Sequence, residues 1–211
     1  MEQREFSVGQ ANKADIPAIA AIFTDSFRES VLHHCGRLPK PQAMEDVFTL
    51  VYEAEPTAAF VARDLNGAVI GYCFAPSALP SLWKRAVLNG HLLKWTWRWL
   101  TGRYGIGFHP VKVLFLNKLA FLHSAMTPTK AADARILSIA VADAWRGHGI
   151  AGALMDLADQ YFRSRRVRRV RLEVRPDNEA AVRLYRHKGY VDGGVTQDSQ
   201  GPWLILFKEM E

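Results

Sequence analysis

Apolar residues recur at helical spacing along much of the chain. Ile16, Ile19, Ala20, Phe23 and Phe27 keep one face of a helix that opens at Asp15-Ile16-Pro17, with Asp15 as the expected cap and Pro17 in the first turn. Met44, Val47, Phe48 and Val51 repeat the pattern over residues 42–53, and Leu154, Leu157, Ala158, Tyr161 and Phe162 mark a third helix. Residues 178–188 give a fourth, ended by Gly189. Between these lie strand-type runs: 6–8, 57–63, 68–74, 135–141, 168–174 and 203–207. The second and third meet at Asn66-Gly67, a strong hairpin signal, and in 168–174 Arg alternates with Val or Leu. The order reads β-α-α-β-β, then an insertion, then β-α-β-α-β-β.

The insertion, residues 76–133, has its own pattern. It predicts two apolar helices, over 82–100 and 110–125, separated by a glycine-rich stretch over 102–107. On the first of them Lys84, His91, Lys94 and Arg98 share one narrow face, while Trp83, Leu92, Leu93, Trp95, Trp97, Trp99 and Leu100 cover most of the rest. Such a helix is buried, oligomeric or interfacial. The alternation Trp95-Thr96-Trp97-Arg98-Trp99 also fits a strand, so both readings stand.

With 211 residues, 49% of them apolar, the chain is expected to be one globular domain carrying that insertion. The charged start, Met1-Glu2-Gln3-Arg4-Glu5, does not read as a secretory leader, and no apolar run has the roughly 18 residues a spanning helix needs. Cys35 and Cys73 make no metal pattern and no disulfide framework, so reduced thiols and a cytoplasmic setting are expected. The histidines (His33, His34, His91, His109 and His123 among them) lack metal-ligand spacing, and no metal is expected. The net charge is +6, unevenly spread: residues 65–132 contain no Asp or Glu but eight Lys or Arg. A second basic cluster comprises Arg163, Arg165, Arg166, Arg168, Arg169 and Arg171; a solvated helix end or an anion site explains it better than nucleic acid does, since no RNA-recognition motif is present.

The chemistry concentrates where the strand at 135–141 meets the third helix. The segment Asp143-Ala144-Trp145-Arg146-Gly147-His148-Gly149-Ile150-Ala151-Gly152 is a strand–glycine turn–helix junction. Such a junction aims free backbone N–H groups at a phosphate on the positive end of a helix dipole, so a pyrophosphate-bearing cofactor is expected. Gly147-x-Gly149-x-x-Gly152 satisfies the dinucleotide fingerprint, with Glu173 placed as a ribose ligand. The context argues against it: four polar or bulky residues, Asp143 to Arg146, separate the strand from the first glycine, and too little chain follows for the further parallel strands that fold needs.

Read as Arg146-x-x-Gly149-x-Ala151, the loop resembles the pyrophosphate loop of the GCN5-related N-acetyltransferases (GNAT). Leu172-x-Val174 followed by Asn178-x-x-Ala181-x-x-Leu184-Tyr185-x-x-x-Gly189-Tyr190 is similar to the second half-motif of that family. The likeness is specific over residues 134–192 and only topological over 4–75. It implies an α/β (α+β) fold, a central mixed sheet of about six or seven strands with helices on both faces. It implies acetyl-coenzyme A as co-substrate and a primary amine as acceptor. Cofactor contacts then fall on Leu137, Ile139, Ala140 and Val141 of the strand, on Arg146, Gly147, His148, Gly149, Ile150, Ala151 and Gly152 of the loop, and on Asn178, which also reads as a helix cap.

For catalysis the resemblance points to Tyr185 as the acid that protonates the departing thiolate, against packing on the sheet as the plain alternative. Glu173, twelve residues earlier, is spaced like the base of the ribosomal-protein N-terminal acetyltransferases; a strand salt bridge to a neighbouring Arg is the equal alternative. The acceptor stays open among protein N-termini, polyamines, amino sugars, antibiotics and amino acids. A longer acyl chain, work at an anionic membrane surface, and homodimerisation through the insertion are further readings of the basic, Trp-rich segment. A non-catalytic acetyl-coenzyme A-binding or nucleic-acid-docking module is the rival from another class.

Overall fold

Turn chemistry fixes the first hairpin. Asp64 Oδ1 accepts from the N–H groups of Asn66 (2.9 Å) and Ala68 (2.8 Å), folding β2 (Ala59–Asp64) onto β3 (Val69–Phe74). The edge strand β1 (Phe6–Gln10) pairs antiparallel with β2. The computed structural model describes residues 5–77, 91–105 and 132–211; the predicted helix over 110–125 and the first part of the one over 82–100 lie outside them.

The strand expected over 135–141 is two strands. β4 (Ala134–Arg135) runs parallel to β6 (Arg169–Val174), and β5 (Ser138–Val141) runs antiparallel to β3. Both sides are bonded at first and then only one. Arg135 N–H donates to Pro76 O, just past β3, at 3.1 Å and Ile136 N–H to Arg171 O of β6 at 3.0 Å, whereas from Leu137, whose N–H donates to Phe74 O at 2.8 Å, the bonds run to β3 alone. Phe74 is also in register with Ser138, so two residues of one strand face one of the other, which is a β-bulge. A bulge interrupts the alternation of faces: Leu137 and Ser138 both turn toward Tyr72 and Phe74, and Ser138 Oγ lies 2.8 Å from Tyr72 Oη. The α/β fold expected is present, and among the described residues its strands number eight, in two four-stranded sheets, β1-β2-β3-β5 and β4-β6-β8-β7, that meet at the split strand. β7 (Val191–Asp198) and β8 (Gly201–Glu209) form the closing hairpin.

Each face carries a core. On one, α5 (Ile150–Ser164) and α6 (Glu179–His187) cover the sheets, burying Leu154, Met155 and Phe162 against Val170, Leu172 and Leu206. On the other, α1 (Ile16–Ser26) and α3 (Pro41–Ala54) bury Ile19 and Phe48 against Val61, Tyr72 and Phe74. A short helix, α2 (Arg28–Cys35), has too few apolar positions to be read from the sequence pattern. Asp15 does not cap α1 with its side chain. Its carboxylate accepts from Asn12 N–H at 2.8 Å, completing a capping box one turn earlier, and pairs with Arg63 at 2.7 Å.

Of the insertion, residues 91–105 are described. Trp95-Thr96-Trp97-Arg98-Trp99 is helical, within α4 (His91–Leu100), so the strand reading fails. The basic side of α4 points inward. Asp46 of α3, only 3% exposed, receives Arg98 Nη1 at 2.5 Å, Tyr104 Oη at 2.7 Å and Lys94 Nζ at 3.0 Å. Burial pushes the Asp46 carboxyl up, but the bonds from Tyr104, Arg98 and Lys94 outweigh it and hold it below its ordinary value. Its stabilising contribution is therefore complete above an ordinary Asp value of about 3.9 and is lost as pH falls through the lowered one. Asp46→Asn leaves two cations without their anion, and thermal melts at neutral pH should show a loss of about 1–3 kcal/mol. That difference should shrink in melts carried out well below pH 3.9; an unchanged melt at neutral pH would mean that Asp46 does not anchor α4.

Candidate active site

The loop after β5 delivers a helix start with nothing capping it. A single 3₁₀ turn (Asp143–Trp145) leads to Arg146, then Gly147 at φ 82° and Gly149 at φ 76°. Gly149 is the N-cap of α5 and offers no side-chain acceptor; the first helical bond is Ala153 N–H to Gly149 O at 3.0 Å. The N–H groups of Ile150, Ala151 and Gly152 therefore point out of the helix end, where its dipole is positive. A Cβ on Gly147 or Gly149 would meet no atom of the protein within 4 Å, so the left-handed backbone, not crowding, demands glycine there. Gly71 is different: a Cβ would lie 3.2 Å from both Ala140 O and Ile150 Cγ2, and its absence seats the start of α5 against β3 and β5.

Around this loop the side chains are open to solvent. Arg146 pairs with Asp143 at 2.6 Å, both exposed, and must leave or share that partner to meet a phosphate. His148 Nδ1 lies 3.0 Å from Arg146 O, a bond that shapes the turn. A cavity of about 490 Å³ adjoins the loop, lined by His148, Gly149, Gly152 and Lys188 together with Phe6 and Val8 of β1. The Arg165, Arg166 and Arg168 side chains at the far end of α5 are exposed, as a solvated helix end would have them.

The opening between β5 and β6 leads away from this loop. Ala142 N–H donates to Ile70 O at 2.9 Å, and strand alternation then turns Ala140 toward β3 and the main-chain groups of Ile139 and Val141 toward β6. On the facing edge, Arg169 O and Arg171 O accept from Asp133 and Ile136; the next residue of that series, Glu173, turns its main chain into the gap. Past Ile136 no ladder joins the two strands. Leu137 is placed otherwise than expected: its N–H is spent on Phe74 and its side chain packs in the second core.

Tyr185 and Glu173 stand on opposite faces of the sheet. Tyr185, 7% exposed, packs in the first core with Leu172, Val174 and Tyr190, its ring centroid 6.1 Å from that of Tyr190. Burial raises its phenol above the ordinary value, with Cys73 nearby adding to the shift. Glu173 projects from the other face between two arginines, in contact with Arg135 and 2.7 Å from Arg171 Nε. All three side chains are 10–14% exposed. Burial pulls the Arg135 guanidinium below its ordinary value while Glu173 opposes that shift. The alternation of residues 168–174 already put Arg171 on the Glu173 face; Arg135 had no signal in the sequence, because only the parallel register Arg135↔Arg171 brings it there. Asn178 caps α6 as expected, accepting from Ala181 N–H at 3.2 Å. No group of three or more His, Cys, Asp or Glu among the described residues is arranged to hold a metal ion.

The acetyltransferase (GNAT) family model matches residues 16–190, spanning both cores, the loop and α6. The chain belongs to the GNAT acetyltransferases. Solved structures share the fold at low identity. SsHAT is 22% identical, with a TM-score of 0.72 and coverage of 98% of this chain and 99% of that one. Ard1 from Thermoplasma volcanium is 18% identical, with a TM-score of 0.62 over 98% and 99% of the two chains. The ribosomal-protein-S18-alanine N-acetyltransferase from Escherichia coli is 14% identical, with a TM-score of 0.53 over 98% and 94%. A search of the curated proteins finds no match. As a GNAT enzyme the protein is an acetyl-coenzyme A-dependent acetyltransferase, and the opened strand edge running to an uncapped helix start fits a long thiol arm ending in a pyrophosphate.

Gly149→Glu tests the loop. It forces a side chain into the left-handed region at a cost of about 1–2 kcal/mol and sets an anion where an anion would bind. Titration calorimetry should show acetyl-coenzyme A affinity falling by about a hundredfold or more; unchanged affinity would remove the loop from the cofactor site.

Proposed function

We propose that the protein transfers the acetyl group of acetyl-coenzyme A directly to a primary amine across the opening between β5 and β6. The observation that carries this reading is the break at Ile136–Leu137: it leaves main-chain N–H and C=O groups of Ile139, Val141 and Glu173 facing a gap that points at the bare start of α5. In this reading the pantetheine arm pairs with Ile139 and Val141, Ala140 lines the arm, and one of those N–H groups holds the thioester oxygen as it gains charge. The pyrophosphate rests on the N–H groups from Gly147 to Gly152, with Arg146 swinging from Asp143 to meet it.

The two faces then divide the proton transfers. The amine nitrogen attacks the carbonyl carbon from the Glu173 side, and its proton passes to the Glu173 carboxylate, directly or through a water. The C–S bond breaks, and the sulfur takes the proton of Tyr185 Oη on the other face. Burial suits Tyr185 to this role, because a raised phenol stays protonated until it is needed. Arg135 and Arg171 hold Glu173 in place, and one of them must loosen its contact for the carboxylate to accept a proton.

Tyr185→Phe should lower kcat by about a hundredfold while acetyl-coenzyme A affinity stays within about twofold of wild type. Since burial raises the phenol, kcat should hold its plateau to at least about pH 9.5. Full activity in the Phe variant would end the acid role, and a fall in kcat centred near neutral pH would contradict the raised phenol. Glu173→Gln should cost roughly 10²–10⁴-fold in kcat if the carboxylate is the base; wild-type rates across pH would leave only the ion pair with Arg135 and Arg171.

A further inference from the structure

The outer edge of α4 is apolar. Leu93, Trp97 and Leu100, at i, i+4 and i+7, form one ridge and are 80%, 68% and 63% exposed. Single exposed leucines are ordinary on protein surfaces. Here the ridge is held outward. On the neighbouring side of the helix Lys94 and Arg98 grip Asp46, with Tyr104 as a third donor, and Trp95 and Trp99 are half-buried. Rolling the ridge inward would strip two cations from a carboxylate that is 3% exposed.

The size and charge of the ridge select its occupant. Its three side chains offer on the order of 400 Å², about half of the roughly 800 Å² that each partner of a stable protein pair contributes. A convex helix edge of Leu and Trp suits the headgroup boundary of a bilayer, which needs no matching pocket and where Trp concentrates. The surrounding sequence is basic: beyond Lys94 and Arg98, which Asp46 engages, residues 65–132 hold six more Lys or Arg and no acid, and Arg103, just past the ridge, is exposed. Among the described residues no helix is long and apolar enough to cross a membrane. We propose that α4 docks the protein on anionic phospholipid bilayers by inserting Leu93, Trp97 and Leu100 at the headgroup boundary.

Flotation of the full-length protein with vesicles tests this, comparing phosphatidylcholine mixed with phosphatidylglycerol against phosphatidylcholine alone. Wild type should float with the mixed vesicles, weaken about tenfold or more on pure phosphatidylcholine, and lose most binding in high salt. A Leu93→Ser, Trp97→Ser double variant should bind the mixed vesicles at least about tenfold more weakly. Its acetyl-coenzyme A affinity should equal that of wild type, which shows that it is folded and keeps the test independent of the catalytic reading. Absence of wild-type flotation, equal flotation of the double variant, or a wild-type dimer in sedimentation velocity that the double variant abolishes would each overturn the proposal.

Discussion

Every main-chain N–H and C=O inside a protein needs a partner, and one strand cannot satisfy two neighbours that diverge. At Ile136–Leu137 the chain meets this constraint by letting one neighbour go: bonds to the β3 side run from Arg135 to Ala142, through Pro76, Phe74 and Ile70, while the last bond to β6 is that of Ile136. The bulge at Leu137–Ser138 lies where the pairing with β6 ends, and the Tyr72–Ser138 contact and the fully buried Tyr72 ring hold it. The consequence is a wedge of unspent hydrogen-bonding groups deep in the fold. Gly71 brings α5 close enough to β3 and β5 for the wedge to continue into the helix start. In the proposed reading this opened strand edge is where an extended ligand pairs with the main chain.

Charge is arranged around the opened strand edge in two ways. At one end the field comes from backbone: a helix N-terminus whose cap, Gly149, supplies no competing oxygen. At the other it comes from side chains, where one carboxylate, Glu173, lies between two guanidiniums and the trio keeps an excess positive charge. Asp46 repeats the theme away from the opening, with Lys94 and Arg98 on one buried carboxylate. In both clusters an acid on a framework element fixes at least one cation from a neighbouring strand or helix. In the second, that contact sets which side of α4 meets solvent.

Much of the loop's backbone was legible in the sequence because a strand–turn–helix junction is written in local spacing. Gly147 and Gly149 sit at positive φ, and Asn178 caps α6, as their positions between a strand and a helix require. The hairpin at Asn66-Gly67 followed from turn chemistry alone. What escaped depends on contacts between distant segments. Residues 135–141 have the composition of one continuous strand, and nothing local says that two neighbours will compete for it. Arg135 reaches Glu173 only through a parallel register, and Asp46 becomes a clasp only when Lys94, Arg98 and Tyr104 fold onto it. Over the described part of the predicted 82–100 helix, Lys94 and Arg98 lie on one side and Leu93, Trp97 and Leu100 on another, but the helical wheel could not tell which would face inward. Asp15 misled because an acid before a helix is the usual capping signal; here Asn12 takes that role one turn earlier, and Arg63, far along the chain, claims the carboxylate.

Amide hydrogen exchange resolved by residue tests the opened strand edge most directly. Exchange at Ile139 and Val141 would be followed by nuclear magnetic resonance with and without acetyl-coenzyme A. The expected result is that these two amides exchange readily in the free protein, while Ala140 and Ala142, turned toward β3, are protected. Saturating acetyl-coenzyme A should then slow Ile139 and Val141 by about tenfold or more. Protection of both amides in the free protein, or tight acetyl-coenzyme A binding that leaves their exchange untouched, would contradict the opening as the seat of the cofactor.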